Sequence, residues 1–281
     1  MKNEYSGRLQ TGRMTAIMAL LISLMSLFVS LSGIFNKSLY EDLLQVGSIT
    51  QTLIIGSRGQ DIVFAPLALL LAVFSILYLL KHNYKIFITI LGLTGNFLYG
   101  YALYAFQGQY TTLYLIYILI LGLSIYCLIY GFTSFESDFI KTTFLSKSIR
   151  IAISVFLFFI IIMLGPIWIA RIIPDITRHT PQETYGVFVL DLGIIFPAIA
   201  ITVSMLLRNK AFGNILAGVI LFKAFTICLS WGFAEVYSRL NGVISGNYEM
   251  VAIPGILSVI SLVFYVVYIQ KLNVTQIVLD R

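Results

Sequence analysis

Asp61, Asp191 and Lys223 are ionisable side chains that fall inside or at the edge of long apolar runs. Such groups are costly in hydrocarbon and are candidates for function by default. Asp61 is followed by Pro66, and Asp191 by Pro197. Proline has no backbone donor, so it leaves a carbonyl one turn earlier without its helical partner, near Ile62 in the first case and Gly193 in the second. A carboxylate beside freed carbonyls is a site for a proton or a small cation. Lys223 has Thr226 and Ser230 at i+3 and i+7, which makes one polar stripe. An ammonium at that depth must pair, face water or lose its proton. Asp191 is its nearest partner by depth, about 8 Å further out at 1.5 Å of rise per residue. The chemistry implied is a gated ion pair or an anion-binding lysine.

Each residue also has a plainer role. Asp61 could cap its helix with help from Ser57 and Gly59. Asp191 could make a structural hydrogen bond between helices. Lys223 could snorkel to the inner headgroups. Glu235 lies one turn beyond Trp231, and Arg171 one turn beyond Trp168, at a depth where tryptophan belts are ordinary. Taken with Arg58, Asp61 and Asp191, these two charges would line an outward-facing polar vestibule. Tyr114, Tyr117 and Ser124 share one helix face, as do Asn96 and Tyr99, and offer either ligand contacts or packing. A lysine in a seventh span raises a retinal Schiff base, but Val219 stands where the carboxylate four residues earlier is needed.

The elements that must position these residues are transmembrane helices. The chain has 281 residues, 59% hydrophobic and 11% charged, and a mean hydropathy of +0.95. Soluble proteins carry roughly 25% charged residues, so a water-soluble globule and a disordered chain are both excluded. Apolar runs at about 14–35, 63–80, 86–106, 112–130, 151–173, 187–207, 215–236 and 251–269 predict eight spanning helices. The first is too long for a signal peptide and lacks a cleavage site. Residues 43–56 are too short to span, so they lie on the surface or re-enter.

The net charge of +6 reads as positive-inside bias. Nucleic-acid binding is excluded because no basic cluster exceeds three residues. Lys2, Arg8, Arg13, Lys81, Lys85, Lys141, Lys147, Arg150, Arg208, Lys210, Lys271 and Arg281 fall on one side. Lys37, Arg58, Arg171, Arg178 and Arg239 fall on the other. That asymmetry predicts both termini in the cytoplasm (N-in/C-in). Cys127 and Cys228 sit in apolar runs, so no disulfide framework is expected. His82 and His179 lie in loops on opposite faces, and no Cys/His cluster predicts a metal. No cofactor is expected.

The third span contains Gly95-Asn96-Phe97-Leu98-Tyr99-Gly100, and the seventh Gly213-Asn214-Ile215-Leu216-Ala217-Gly218. Before each comes an aspartate, a proline and a basic turn. This order predicts a 4+4 parallel internal repeat about an axis along the membrane normal. The halves are 1–130 and 151–281, with 131–150 as a cytoplasmic linker. Lys223 breaks the symmetry, because its equivalent is Ala105.

Arg58-Gly59-Gln60-Asp61 at the mouth of the second span, and Val189-Leu190-Asp191-Leu192 before Pro197 in the sixth, resemble an uncharacterised family of bacterial multi-pass inner-membrane proteins. The resemblance covers about residues 50–236. Similar proteins carry an arginine run and Pro-Trp-Gly before the seventh span. Here Arg208-Asn209-Lys210-Ala211-Phe212-Gly213 keeps the basic turn and the glycine alone. The resemblance implies a bacterial inner membrane and this architecture. It implies no mechanism, since that family has no established activity.

Three functions fit. The favoured one is a secondary transporter or permease for a small solute, with proton or cation coupling at Asp191 or Asp61. The second is a non-catalytic sensor or partner subunit. The third is a membrane enzyme acting on a lipid or quinone through Asp61, Asp191 and Glu235, against which stands the lack of any paired histidine or nucleophile constellation. No nucleotide-binding motif or soluble domain is present, so ATP-driven transport by this chain alone is excluded. The expected partners are the bilayer and a small-molecule or ion ligand, with a membrane partner or a homo-oligomer left open.

Overall fold

The computed structural model describes residues 11–36, 38–47, 49–243 and 248–274. Lys2, Arg8, Lys37 and Arg281 of the charge asymmetry lie outside the described residues. In chain order the elements are α1 (Gly12–Phe35), α2 (Ser38–Gln45), α3 (Gln51–Lys81), α4 (Tyr84–Phe106), α5 (Tyr114–Thr133), α6 (Ser137–Thr142) and β1 (Thr143–Phe144). Then follow α7 (Lys147–Arg178), α8 (Tyr185–Leu190), a π turn (Asp191–Ile195), α9 (Phe196–Leu207), α10 (Ala211–Leu240), α11 (Glu249–Lys271) and β2 (Asn273–Val274).

Among the described residues, eight helical segments are long and apolar enough to cross a membrane, with α8, the π turn and α9 together making the sixth. The chain is an all-α polytopic membrane protein. Hydrocarbon offers no partner to backbone polar groups, so runs of this hydropathy satisfy themselves as helix. The bundle has an α2 end and an α6 end. Helices α4 and α10 occupy its centre: 78% and 67% of their apolar windows are buried, against 28% for α5 and α11. Small residues allow this close approach. A Cβ at Gly92 on α4 would stand 2.8 Å from the Cβ of Phe222 on α10.

The second span begins well before the apolar run. Helix α3 starts at Gln51, with the Thr50 hydroxyl accepting from the Leu53 N–H at 3.3 Å. Arg58, Gln60 and Asp61 interrupt the hydropathy but not the helix, because their side chains face protein rather than lipid. Asp61 therefore lies about three turns inside α3, and Thr50 holds the capping position expected of it. Residues 43–56 divide between α2 and the start of α3, with Leu39, Tyr40 and Leu43 packed on Ile49 and Ile54. Helix α7 continues through Pro166 and Pro174 to Arg178, past the expected end near 173.

The segment joining the two groups of four spans is packed. Phe139 is buried, with its ring 5.5 Å from Tyr84 and 6.0 Å from Phe135. The Asn214 side chain donates to the Thr143 carbonyl at 3.0 Å. Thr143 and Phe144 pair antiparallel with Val274 and Asn273. This small ladder, unforeseen from the sequence, satisfies backbone groups that Phe139 and Leu145 draw inward. Among the described residues, left-handed residues follow six of the helices: the non-glycine His82 after α3, His179 after α7 and Asn209 after α9, and the glycines Gly47 after α2, Gly108 after α4 and Gly242 after α10.

Candidate functional site

A cavity of about 290 Å³ lies between α3, α4, α7, α8, α9 and α10. At the α2 end it is lined by Gln109, Thr184 and Met250. At mid-depth it is lined by Ile199, Ile220 and Lys223. Its walls are mostly apolar, with Tyr99, Trp168, Phe188, Phe196 and Trp231 supplying the aromatic surface.

The lysine is placed by a glycine. A Cβ on Gly95 would stand 3.5 Å from the Lys223 Cγ, so the bare backbone of α4 takes the lysine stem in van der Waals contact. Nζ ends 4.4 Å from the centroid of the Tyr99 ring, one turn further along α4. The side chain thus climbs toward the α2 end and is only 6% exposed. Snorkelling to the headgroups at the α6 end is overturned: stem and ammonium are held by α4. The ring face attracts the ammonium electrostatically. The ion pairs among the described residues are Arg58–Glu41, Lys141–Asp138 and Arg239–Glu235, so Lys223 has no direct one. Thr226 and Ser230, its partners in the stripe, turn their hydroxyls back onto α10 carbonyls, although Ser230 still lines the cavity.

Asp191 opens the π turn. The Phe196 N–H donates to the Asp191 carbonyl, five residues back. Pro197 has no N–H to offer the Gly193 carbonyl, and a widened turn is a local answer to a broken ladder. Trp168 Nε1 donates to Asp191 Oδ2 at 2.8 Å, and the Tyr99 side chain reaches the same carboxylate. Asp191 is 9% exposed, lines the cavity and lies within electrostatic reach of Lys223. It has both the interhelical bond and a face on the cavity.

The outer charges divide. Arg171 and Glu235 line the cavity. The Arg171 guanidinium sits 5.5 Å from the Trp168 ring and donates to the Met250 sulfur at 3.5 Å. Glu235 accepts from Arg239 at 2.6 Å. Arg58 and Asp61 are not among the lining residues. Arg58 pairs with Glu41 at 4.0 Å and lies over the Tyr40 ring. Asp61 is fully buried. Tyr40 donates to its Oδ2 at 2.7 Å, and Tyr104 to its Oδ1 at 2.9 Å. Its carboxylate fills the notch left by Gly33, where a Cβ would stand 1.8 Å from Oδ2. The expected vestibule therefore contains Asp191, Arg171 and Glu235, together with Lys223, and excludes Asp61 and Arg58.

Several lining residues escape a search for charge. Gln109 is 1% exposed and its Oε1 has no hydrogen-bond partner; Gln60 Nε2 likewise has none. Gln60 adjoins Asp61 in the Arg-Gly-Gln-Asp run, which was the one available signal. Tyr114 and Tyr117 are structural: Tyr114 donates to the Ala105 carbonyl, and Tyr117 accepts from Thr111. Comparison with family models, curated proteins and solved structures finds no match for this chain.

Proposed function

We propose that this protein is a secondary transporter or permease for a small solute, residing in a bacterial inner membrane with both termini cytoplasmic. The observation that carries the reading is that an ammonium without a direct ion pair and a carboxylate, Lys223 and Asp191, line one cavity reaching from the α2 end to mid-depth. Two opposite charges kept only to stabilise the bundle would close on each other, because desolvation is otherwise uncompensated. Held apart beside a cavity, they serve a polar visitor. Asp191 supplies the negative charge that a proton, a small cation or the cationic part of a solute requires. At the other end, α6 and the β1–β2 ladder cover the inner ends of the central helices. On the positive-inside orientation, this is a state facing outward. The 4+4 repeat supplies two bundles that rock against each other.

Cys228 lines the cavity and Cys127 does not, so thiol labelling tests the reading. In sealed, oriented vesicles carrying Cys127→Ser protein, a small charged thiol reagent should reach Cys228 from each side in turn. Labelling from the α2 side alone would remove alternating access. It would select instead a non-catalytic sensor, which the Tyr104–Asp61–Tyr40 chain from cavity wall to α2 also favours.

A further inference from the structure

We propose that the cavity binds a small zwitterion bearing one apolar group, the chemistry of an apolar α-amino acid, with its carboxylate on Lys223 and its ammonium at Asp191. This rests on the permease reading and names its solute class. The first argument is charge. Lys223 Nζ borders the cavity with no direct ion pair, and its attraction to Tyr99 uses the ring face alone. Asp191 Oδ2 accepts from Trp168 Nε1 and Tyr99 reaches the same carboxylate, which offers about four acceptor positions. A donor-rich cation without an ion pair and a carboxylate that keeps acceptor positions beyond those used by Trp168 and Tyr99 thus stand apart.

The second argument is neutrality. Asp191 and Lys223 balance each other, and Glu235 and Arg171 line the same cavity nearer the α2 end. A lone anion or a lone cation entering with its charge would leave one unit uncompensated at mid-depth, which is strongly unfavourable. A zwitterion keeps the sum at zero and lets both protein charges gain a partner. The third argument is the wall. Phe188, Phe196 and Ile220 form apolar surface suited to an apolar side chain, and the Trp168 and Trp231 faces suit an ammonium. The unpartnered Gln109 Oε1 offers a further acceptor. Ligand pockets run from about 300 to 1,000 Å³, and a cavity of about 290 Å³ admits a molecule of amino-acid size.

The chain's only two tryptophans, Trp168 and Trp231, both line the cavity with ring centroids 5.9 Å apart, so intrinsic fluorescence reports occupancy. The full chain in detergent is titrated with leucine and with phenylalanine. Two analogues, each lacking one charge of leucine, are titrated alongside: 4-methylpentanoate and 3-methylbutylamine. A saturable change is expected for leucine or phenylalanine, with both single-charge analogues at least about tenfold weaker, the equivalent of 1.4 kcal/mol. Lys223→Met should abolish binding of the amino acid, and Lys223→Arg should retain it. Asp191→Asn should weaken leucine and leave 4-methylpentanoate no weaker. Thermal unfolding of each variant confirms that it is folded. The proposal is overturned if either single-charge analogue matches leucine, if neither amino acid gives a saturable change, or if folded Lys223→Met binds as the parent does. In the first two cases, Cys228 labelled from both sides would still leave a permease for another solute. Amino-acid binding with Cys228 reached from one side only would instead leave a receptor.

Discussion

The Tyr104 hydroxyl donates to Asp61 Oδ1 at 2.9 Å, and the same tyrosine lines the cavity from which that carboxylate is shut out. One aromatic side chain therefore separates two aspartates of similar sequence setting. On its far side Asp61 is sealed by Tyr40 and the Gly33 notch. On its near side Asp191 meets the cavity beside Lys223.

Removing the sealed carboxylate should loosen α2. Asp61→Ala leaves the buried Tyr40 hydroxyl without its acceptor, whereas Tyr104 can keep the Ser57 carbonyl at 3.1 Å. An unsatisfied buried hydroxyl costs about 1–3 kcal/mol. We expect that loss in denaturant unfolding and faster proteolysis between α1 and α3. Tyr40→Phe should cost less, since it removes the stranded donor too. An Asp61→Ala protein as stable as the parent would deny the bond any energetic role.

Gly33 and Gly56 form a matched pair. A Cβ at Gly33 would overlap the Asp61 carboxylate, while a Cβ at Gly56 meets nothing within 4 Å. Gly33→Ala should destabilise at least as much as Asp61→Ala, and Gly56→Ala should sit within about 0.5 kcal/mol of the parent. Equal melting temperatures for the two variants would contradict the packing of α1 on α3.

The mid-depth charges should show coupling in a double-mutant cycle. Asp191→Asn alone leaves the Lys223 charge uncompensated, and Lys223→Met alone leaves that of Asp191. The double variant restores neutrality, so it should be more stable than the sum of the singles predicts, by roughly 0.5–3 kcal/mol. Solute uptake should be lost in Asp191→Asn while the protein remains folded. Strict additivity, or normal uptake, would separate the two groups.

The β1–β2 ladder invites a crosslink. Antiparallel partners have Cα atoms about 4.5–5.5 Å apart, inside the range a disulfide spans. Thr143→Cys with Val274→Cys should oxidise to an intramolecular bridge with native Cys127 and Cys228 left as thiols. Failure to bridge under mild oxidant would break the assigned pairing.

What the sequence made legible follows from what hydropathy encodes. Depth along the normal is readable: the spans, and the placing of Lys223 near mid-span with Asp191 further out, come directly from the order of residues. Azimuth is not. Asp61 and Asp191 share the same grammar of aspartate then proline, yet only one faces the cavity. The difference lies in Gly33 and Tyr40, on other elements, which no local pattern connects to Asp61. The start of α3 is illegible for a related reason: Arg58 and Gln60 look like loop when lipid is the assumed surroundings, but they have protein neighbours. Trp168 and Trp231 read as interfacial belts, whereas both border the cavity and one holds Asp191.

The two-residue ladder joining Thr143–Phe144 to Asn273–Val274 acts like the heel of a pair of tweezers. It ties the middle of the chain to its far end at one pole of the molecule, so the cheap movement is a spreading of the tips at the opposite pole. For the proposed permease to expose the cavity toward the heel, the strap must first peel, with Asn214 releasing the Thr143 carbonyl. For the proposed permease, the slow step of turnover would then be set far from Asp191 and Lys223.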